Sequence, residues 1–214
     1  MRSPLSRAGG DRRRLGAALL MAPLALALPG RARAGAQLEE PLANAVRSAL
    51  SAAIAESAPP KPAFDHIEGR LAYLKWLGEM SRRLLRRHTE HVARIEFLEA
   101  LWYESTRAGL EPATVLGLVQ VESGFRKYAI SSSGARGYAQ VMPFWARLIG
   151  DGDASRLFHL QTNLRFGCVI LRHYLDQERG DLVMALGRYN GSRGRGEYPE
   201  AVLSARKAWD FKPA

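Results

Sequence analysis

Cys168 is the only cysteine among 214 residues, so no internal disulfide can form and the core must be held by packing. It falls among Leu164, Leu171 and Leu175 at helical spacing, the setting of a small core hydrophobe rather than of a nucleophile. Strand-like alternation of apolar and polar residues is missing, and so are internal repeats, which leaves an all-α reading. There is no Gly-rich phosphate loop and no Ser-His-Asp arrangement. "HTEH" at 88–91 sets two histidines three apart without H-E-x-x-H or a third ligand, so it reads as a solvated helix junction rather than a zinc site. "DGD" at 151–153 lacks the ligand spacing of a calcium loop and reads as a turn. No cofactor and no metal are called for. The longest apolar run, "LGAALLMAPLALAL" at 15–28, is fourteen residues with Pro23 inside it, too short and too broken for a comfortable membrane span.

What is present begins with an uneven charge. The formal net charge is +10, but residues 1–36 hold seven Arg and one Asp, a net of +6, and the remainder carries only +4. A modest positive balance suits an acidic polymer and does not demand nucleic acid. Arg2, Arg7, Arg12, Arg13 and Arg14 precede the apolar run, and "ARA" at 32–34 or "AGA" at 34–36 follows it. Basic, apolar and small-residue segments in that order are the pattern of a cleaved export signal, with an uncleaved N-terminal anchor as the alternative. "RRRL" is an imperfect twin-arginine pattern, so the export route stays open.

Beyond the leader the punctuation is helical. Leu42, Val46, Leu50 and Ile54 recur every four residues as one stripe, which "APPKP" at 58–62 stops. Ile67, Leu71, Leu74, Leu77, Leu84 and Leu85 mark an amphipathic helix over 65–88 that ends in "RRLLRR". A second runs from 90 to 107, with Val92, Ile95, Leu98, Leu101 and Trp102 facing inward and Gly109 as its left-handed stop. Pro112 suits the first turn of the next and Gly124 its end. "ISSSGARGYAQVMP", 130–143, is a loop; a helix over 162–180 enters through Thr162 or Asn163 and closes at Gly180. Asp181 caps another that ends near "RYNG", "SRGRGE" at 192–197 is a loop, and Pro199 opens the last helix.

The chemistry concentrates in "QVESGF", 120–125. Val115, Leu118 and Val119 precede Glu122 by seven, four and three residues, so the acid shares their apolar face. A desolvated carboxyl prefers its neutral form and its pKa rises, which is how a glycosidase keeps a general acid at neutral pH. The competing reading is a buried glutamate satisfied by Arg126 or Arg136; periodicity leaves both open. A second carboxyl, needed for hydrolysis with water, is not close in sequence: Glu111 is three helical turns away, Asp151 lies beyond the loop, and Glu197 and Glu200 follow the "RYNG" stretch.

"GLVQVESGF", "SSSGARGYAQVMP" and "GRYNGS" occur in that order, and together they resemble the signatures of soluble lytic murein transglycosylases, the Slt-type catalytic domain. The family's E-S pair, G-L-M-Q turn and Y-N pair map onto Glu122-Ser123, Gly137-Tyr138-Ala139-Gln140 and Tyr189-Asn190 over roughly 108–203. "QTNLRFGCVILRHYL" resembles the helix between the second and third signatures. The departure is Tyr138-Ala139 where Leu-Met is usual, which bears on one wall of the sugar site. The resemblance implies a lysozyme-like all-α fold with additional N-terminal helices. The chain then divides into an export signal (1–36), a helical, Pro-rich linker (37–62), N-terminal helices packing on the catalytic domain (63–107) and that domain (108–214).

The same resemblance implies a reaction. The β-1,4 bond between N-acetylmuramic acid and N-acetylglucosamine breaks without water, and Glu122 acts as acid and then as base on the muramoyl C6 hydroxyl. Substrate contacts fall to Ser123, Gly137, Tyr138, Ala139, Gln140, Tyr189 and Asn190. Tyr189 is expected to hydrogen-bond Glu122 or stack on a sugar, Gln140 to hold sugar groups, and Gly137 to let the loop approach the glycan. Phe125, Trp102, Phe144 and Trp145 are candidates for subsites or core. The expected protein is periplasmic, exported by its cleaved signal and monomeric. It works on peptidoglycan strands, takes no nucleic acid and has a possible link to secretion or pilus machinery. The alternatives are a lysozyme-like peptidoglycan hydrolase and a non-catalytic glycan-binding scaffold.

Overall fold

The structure is a computed structural model that describes residues 62–149 and 152–212. The export signal, the Leu42–Ile54 stripe, most of the Pro-rich linker and Asp151 lie outside the described residues. Within them are seven α-helices and no strand, in agreement with the all-α reading.

Helix α1 (Ile67–Leu84) buries Tyr73, Trp76, Met80 and Leu84. This is not the face that leucine spacing selects. Ile67, Leu71, Leu74 and Leu85 are 62, 51, 49 and 48% exposed, because two apolar stripes share the helix and the inner one is built from Tyr, Trp and Met. Helix α2 (His91–Arg107) starts where the Glu90 carboxylate accepts from the Val92 amide, one of the donors a helix N-terminus leaves free. It buries Phe97, Leu98 and Leu101, while Val92 stays exposed. Gly109, at φ +66°, ends it in the left-handed conformation expected.

Helix α3 (Pro112–Ser123) is the centre of the molecule: eight of its twelve residues are buried, so apolarity all round, rather than one stripe, is what its sequence encodes. Its most extensive partner is α7 (Glu197–Lys207). Gly117 makes that approach possible, since a Cβ there would lie 2.8 Å from both the Arg206 amide nitrogen and the Val202 carbonyl oxygen.

Between them the chain forms the short α4 (Pro143–Ile149) and a 3-10 turn (Ala154–Phe158) whose amide at Ser155 is capped by Asp153, 2.8 Å. Helix α5 (Leu160–Gln177) begins before Thr162 and Asn163, which sit buried inside its first turn. Helix α6 (Leu182–Asn190) is capped by Asp181, which accepts from Met184 N at 3.0 Å, as its sequence predicts. Helix α5 packs on α2 and α6, and α6 on α7.

One fully buried ion pair ties α2 to α5. Glu104 and Arg165 are 1 and 0% exposed, and Arg165 Nε lies 3.0 Å from each carboxylate oxygen. Gln161 donates to the same carboxylate.

Candidate active site

Glu122 is the penultimate residue of α3, and the helix stops abruptly behind it. The Ser123 hydroxyl folds back to the Val119 carbonyl (3.2 Å). Gly124 and Phe125 then take left-handed φ values of +59° and +66° in succession. Gly124 does so without cost; an aromatic residue there is strained and needs surrounding contacts to hold it. Phe125 has them: the Trp209 ring is edge-on at 5.3 Å, Phe97 at 5.9 Å, and the Arg87 guanidinium lies 5.7 Å over its face. Gln120, one turn inside the helix, accepts from Trp209 Nε1 (2.9 Å) and Arg87 (3.4 Å). The end of α1, helix α2 and the C-terminal segment therefore fix where α3 ends and where Glu122 points.

The carboxyl is buried, 6% exposed. Oε1 accepts from the Tyr198 hydroxyl on the first turn of α7, and Oε2 has no hydrogen-bond partner. No salt bridge reaches Glu122 among the described residues. Arg126 donates instead to the Ser123 carbonyl (2.8 Å), and Arg136 lies over the Phe158 ring. Burial pushes the Glu122 pKa from 4.5 up to about 8, against the smaller, opposing pull of the Tyr198 hydrogen bond. Burial also raises Tyr198 well above its ordinary value, with Glu122 and then Tyr189 adding to the effect, so the phenol remains a donor. Glu111 is engaged by Arg206, and Glu197 and Glu200 are exposed on either side of Tyr198.

The second motif is a turn closed by isolated bridges between Ile130, Arg136 and Val141. Its glycine is demanded by the protein itself. At φ +77°, a Cβ on Gly137 would lie 2.3 Å from Asn163 Nδ2 and 2.6 Å from the Leu157 carbonyl oxygen. Asn163 is the clamp: it accepts from the Ala139 amide (2.8 Å) and donates to the carbonyls of Arg136 (2.9 Å) and Leu157 (2.7 Å). Gln140 is buried at φ +49°, and its amide nitrogen donates to the carbonyls of Gly137 (2.9 Å) and Ala129 (3.1 Å). Tyr138 turns toward the N-terminal helices, with its hydroxyl 3.0 Å from His88 Nε2 and its ring 4.8 Å from Phe97. Burial pushes its pKa up to about 12. Burial, and then Arg94, lowers that of His88, so a neutral imidazole can accept a hydrogen bond from the phenol.

The third motif meets the second. The Tyr189 hydroxyl donates to the Ala139 carbonyl (2.8 Å), and Gly167 on α5 leaves the room, since its Cβ would lie 2.6 Å from the Ala139 Cβ and 3.3 Å from the Tyr189 hydroxyl. The donor to Glu122 is Tyr198. Asn190 donates to Ser192 (3.0 Å), while its buried Oδ1 has no partner. Glu122 Oε2 and Asn190 Oδ1 are thus two buried polar atoms to which the fold gives no hydrogen bond, a condition that costs free energy. Trp145, Phe144 and Phe125 are buried core residues.

Two residues that position this site, Tyr198 and Trp209, carry no motif in the sequence, while Asn163 lies in the stretch "QTNLRFGCVILRHYL" without any sign there of its role as a clamp. Tyr198 is 76 residues from its partner, and nothing local points to it.

The fold and the site define an all-helical domain organised around one desolvated carboxyl with no cation beside it. Residues 100–210, just over half of the chain, match the Transglycosylase SLT domain family. The chain belongs to this family. It is 31% identical over 104 residues to the "Transglycosylase" of Enterobacteria phage PRD1, covering 49% of this chain and 38% of that protein. It is 34% identical over 98 residues to "Membrane-bound lytic murein transglycosylase C" of Actinobacillus pleuropneumoniae serotype 5b, covering 42% of this chain and 27% of the relative. The chain thus spans well under half the length of either relative. Among solved structures, an inactive variant of the lytic transglycosylase Slt from Pseudomonas aeruginosa superposes with a TM-score of 0.43. The identity there is 23%, over 65% of this chain and 27% of that one.

Proposed function

We propose that this chain is a lytic transglycosylase that cleaves the β-1,4 bond between N-acetylmuramic acid and N-acetylglucosamine in peptidoglycan. The observation that carries the reading is the state of Glu122: buried, unpaired with any cation, open at Oε2 and with a pKa of about 8. Such a group is largely protonated at neutral pH and can act as a general acid. It gives its proton to the bridging oxygen as the bond from C1 to that oxygen breaks. The substrate's acetamido oxygen can steady C1 in the interval, as in other substrate-assisted glycosidases. The Glu122 carboxylate then takes the proton of the C6 hydroxyl while O6 closes on C1, which forms the 1,6-anhydro ring and restores the acid. No water and no second carboxylate enter that balance. Tyr198 holds Oε1, so Oε2 is the oxygen that exchanges the proton, and the phenol stabilises the carboxylate stage.

Asn190 Oδ1 is the natural acceptor for an amide or hydroxyl of the bound sugar. Ser123, Gly137, Tyr138, Ala139 and Gln140 act chiefly by shaping the wall, since their polar groups engage the protein. Peptidoglycan places the work in the cell envelope. The leader pattern of residues 1–36 supports export to the periplasm with cleavage near 34–36, and sequencing the N-terminus of protein from periplasmic extracts tests that. A monomer of this kind suits wall turnover and equally the passage of a secretion or pilus apparatus.

The test is product mass analysis of digested sacculi with wild type and Glu122→Gln side by side. Anhydromuramoyl ends from the wild type alone are expected. Reducing ends would mean a lysozyme-like hydrolase. Binding without release would mean a glycan-binding scaffold, and equal release by the variant would remove Glu122 from the chemistry.

A further inference from the structure

Asn190 and Tyr198 are joined by seven residues, and three of the seven are glycine: Gly191, Gly194 and Gly196. Six of the seven are exposed. A short glycine-rich link has many conformations to lose and few side chains with which to fix one. Its position nevertheless matters to the site. The Asn190 side chain, buried at 6% exposure, donates to the Ser192 hydroxyl at 3.0 Å, and that contact decides which way the amide turns. At its far end the loop runs into α7, which is already seated on α3. The end that depends on the loop is therefore Asn190.

Glu178 supplies the anchor. It is the residue directly after α5, and its carboxylate, 9% exposed, receives Arg193 through both oxygens, Nε at 2.7 Å from Oε1 and Nη2 at 3.0 Å from Oε2. Arg188 of α6 donates to Oε1 as well. Hydrogen bonds from Arg193, and then from Arg188, hold the Glu178 pKa down at about 2, so the group is a carboxylate at any working pH. A lone surface ion pair is worth little, but a bidentate pair inside a network keeps its geometry. The loop also folds back on α6, where the Ser192 amide donates to the Gly187 carbonyl at 2.7 Å. We propose that Glu178 is a positioning residue for the glycan: through Arg193 it holds the 191–197 loop on α5 and α6, and through Ser192 the loop keeps the Asn190 amide turned with Oδ1 toward the bound sugar. The carboxylate acts through Arg193 and touches no substrate. This role rests on the glycan reading above and adds to it a residue outside the three motifs.

The test uses the full chain and soluble glycan-strand fragments. Binding is measured by calorimetry in the Glu122→Gln background, so turnover does not interfere. Adding Glu178→Gln should weaken binding about three- to tenfold, the scale of one hydrogen bond. Arg193→Gln should weaken it equally, and the two together no further, because both break the same contact. With Glu122 intact, Glu178→Gln should raise KM by the same factor and leave kcat within about twofold. Hydrogen exchange of 191–197 in the free protein should quicken in Glu178→Gln. A fall in Tm with unchanged affinity and KM would make Glu178 a structural staple only and overturn the proposal. So would additive losses, a loss in Arg193→Gln alone, which would put Arg193 itself on the glycan, or unaltered exchange of the loop. Full turnover by Glu122→Gln would instead remove the acid assignment and leave this anchor to stand on its binding and exchange results.

Discussion

Two glutamates are buried among the described residues, and they are held in opposite ways. Glu104 meets Arg165 through both oxygens, and Gln161 adds another donor. Glu122 meets a single neutral phenol and leaves one oxygen without a partner. The first arrangement fixes a carboxylate in its charged form and joins two helices. The second makes charge expensive and leaves a proton available near neutral pH. Burial alone therefore does not keep a carboxyl protonated; burial without a cation does.

Exchanging the acid for an amide at each place separates the two roles. Glu122→Gln should lose 10²–10⁴-fold in turnover, an effect of about 3–5 kcal/mol, while remaining folded, as initial rates of muropeptide release and circular dichroism will show. Glu104→Gln should do the reverse. It leaves Arg165 buried without its carboxylate and should destabilise by about 3–5 kcal/mol in urea, with little change in activity per folded molecule.

Gly117→Ala leaves both acids intact but pushes α7, and Tyr198 with it, away from α3. The contact at 2.8 Å is with backbone on both sides, so about 1–3 kcal/mol of stability should go, together with part of the activity. Tyr198→Phe is gentler. Its hydrogen bond lowers the Glu122 pKa, so its loss should move the alkaline limb of the pH–rate profile upward and cut turnover about tenfold through a less stable carboxylate.

The last test of the comparison is stability against pH. The folded-state pKa of Glu122, about 8, lies above the ordinary 4.5. The folded protein therefore holds a proton that the unfolded chain releases between those values. Stability from this group is complete below about pH 4.5 and declines as pH rises through about 8. The Tm of Glu122→Gln should accordingly gain on the wild type across that window and run level with it beyond. A constant gap would show that the acid is not desolvated in solution.

Much of this was legible in residue order. Gly109, Gly124, Gly180 and Asp181 mark helix ends because left-handed turns and N-caps are local chemistry, and Glu122 is conspicuous because three apolar neighbours share its face. What failed to show was non-local. Tyr198 reaches Glu122 only because α7 lies against α3, and Trp209 reaches Phe125 only because the chain returns after α7. The leucine spacing of α1 misled for a related reason: aliphatic spacing is blind to a rival stripe of Tyr, Trp and Met. Gly117 was readable in principle, since a glycine inside a helix costs about 1 kcal/mol against alanine and usually signals close packing. Gly137 and Asn163 belong to one contact, yet their 26-residue separation hides it in the chain.

The hydrogen bond between Tyr138 and His88 has a practical corollary. The stretch that matches the family opens at residue 100, within α2. Cutting there would halve a helix, strip the imidazole from Tyr138 and lift Arg87 off Phe125. Excised at that boundary, the domain would be a wound rather than a module. A transplant of this domain into another scaffold has to carry everything from α1 onward.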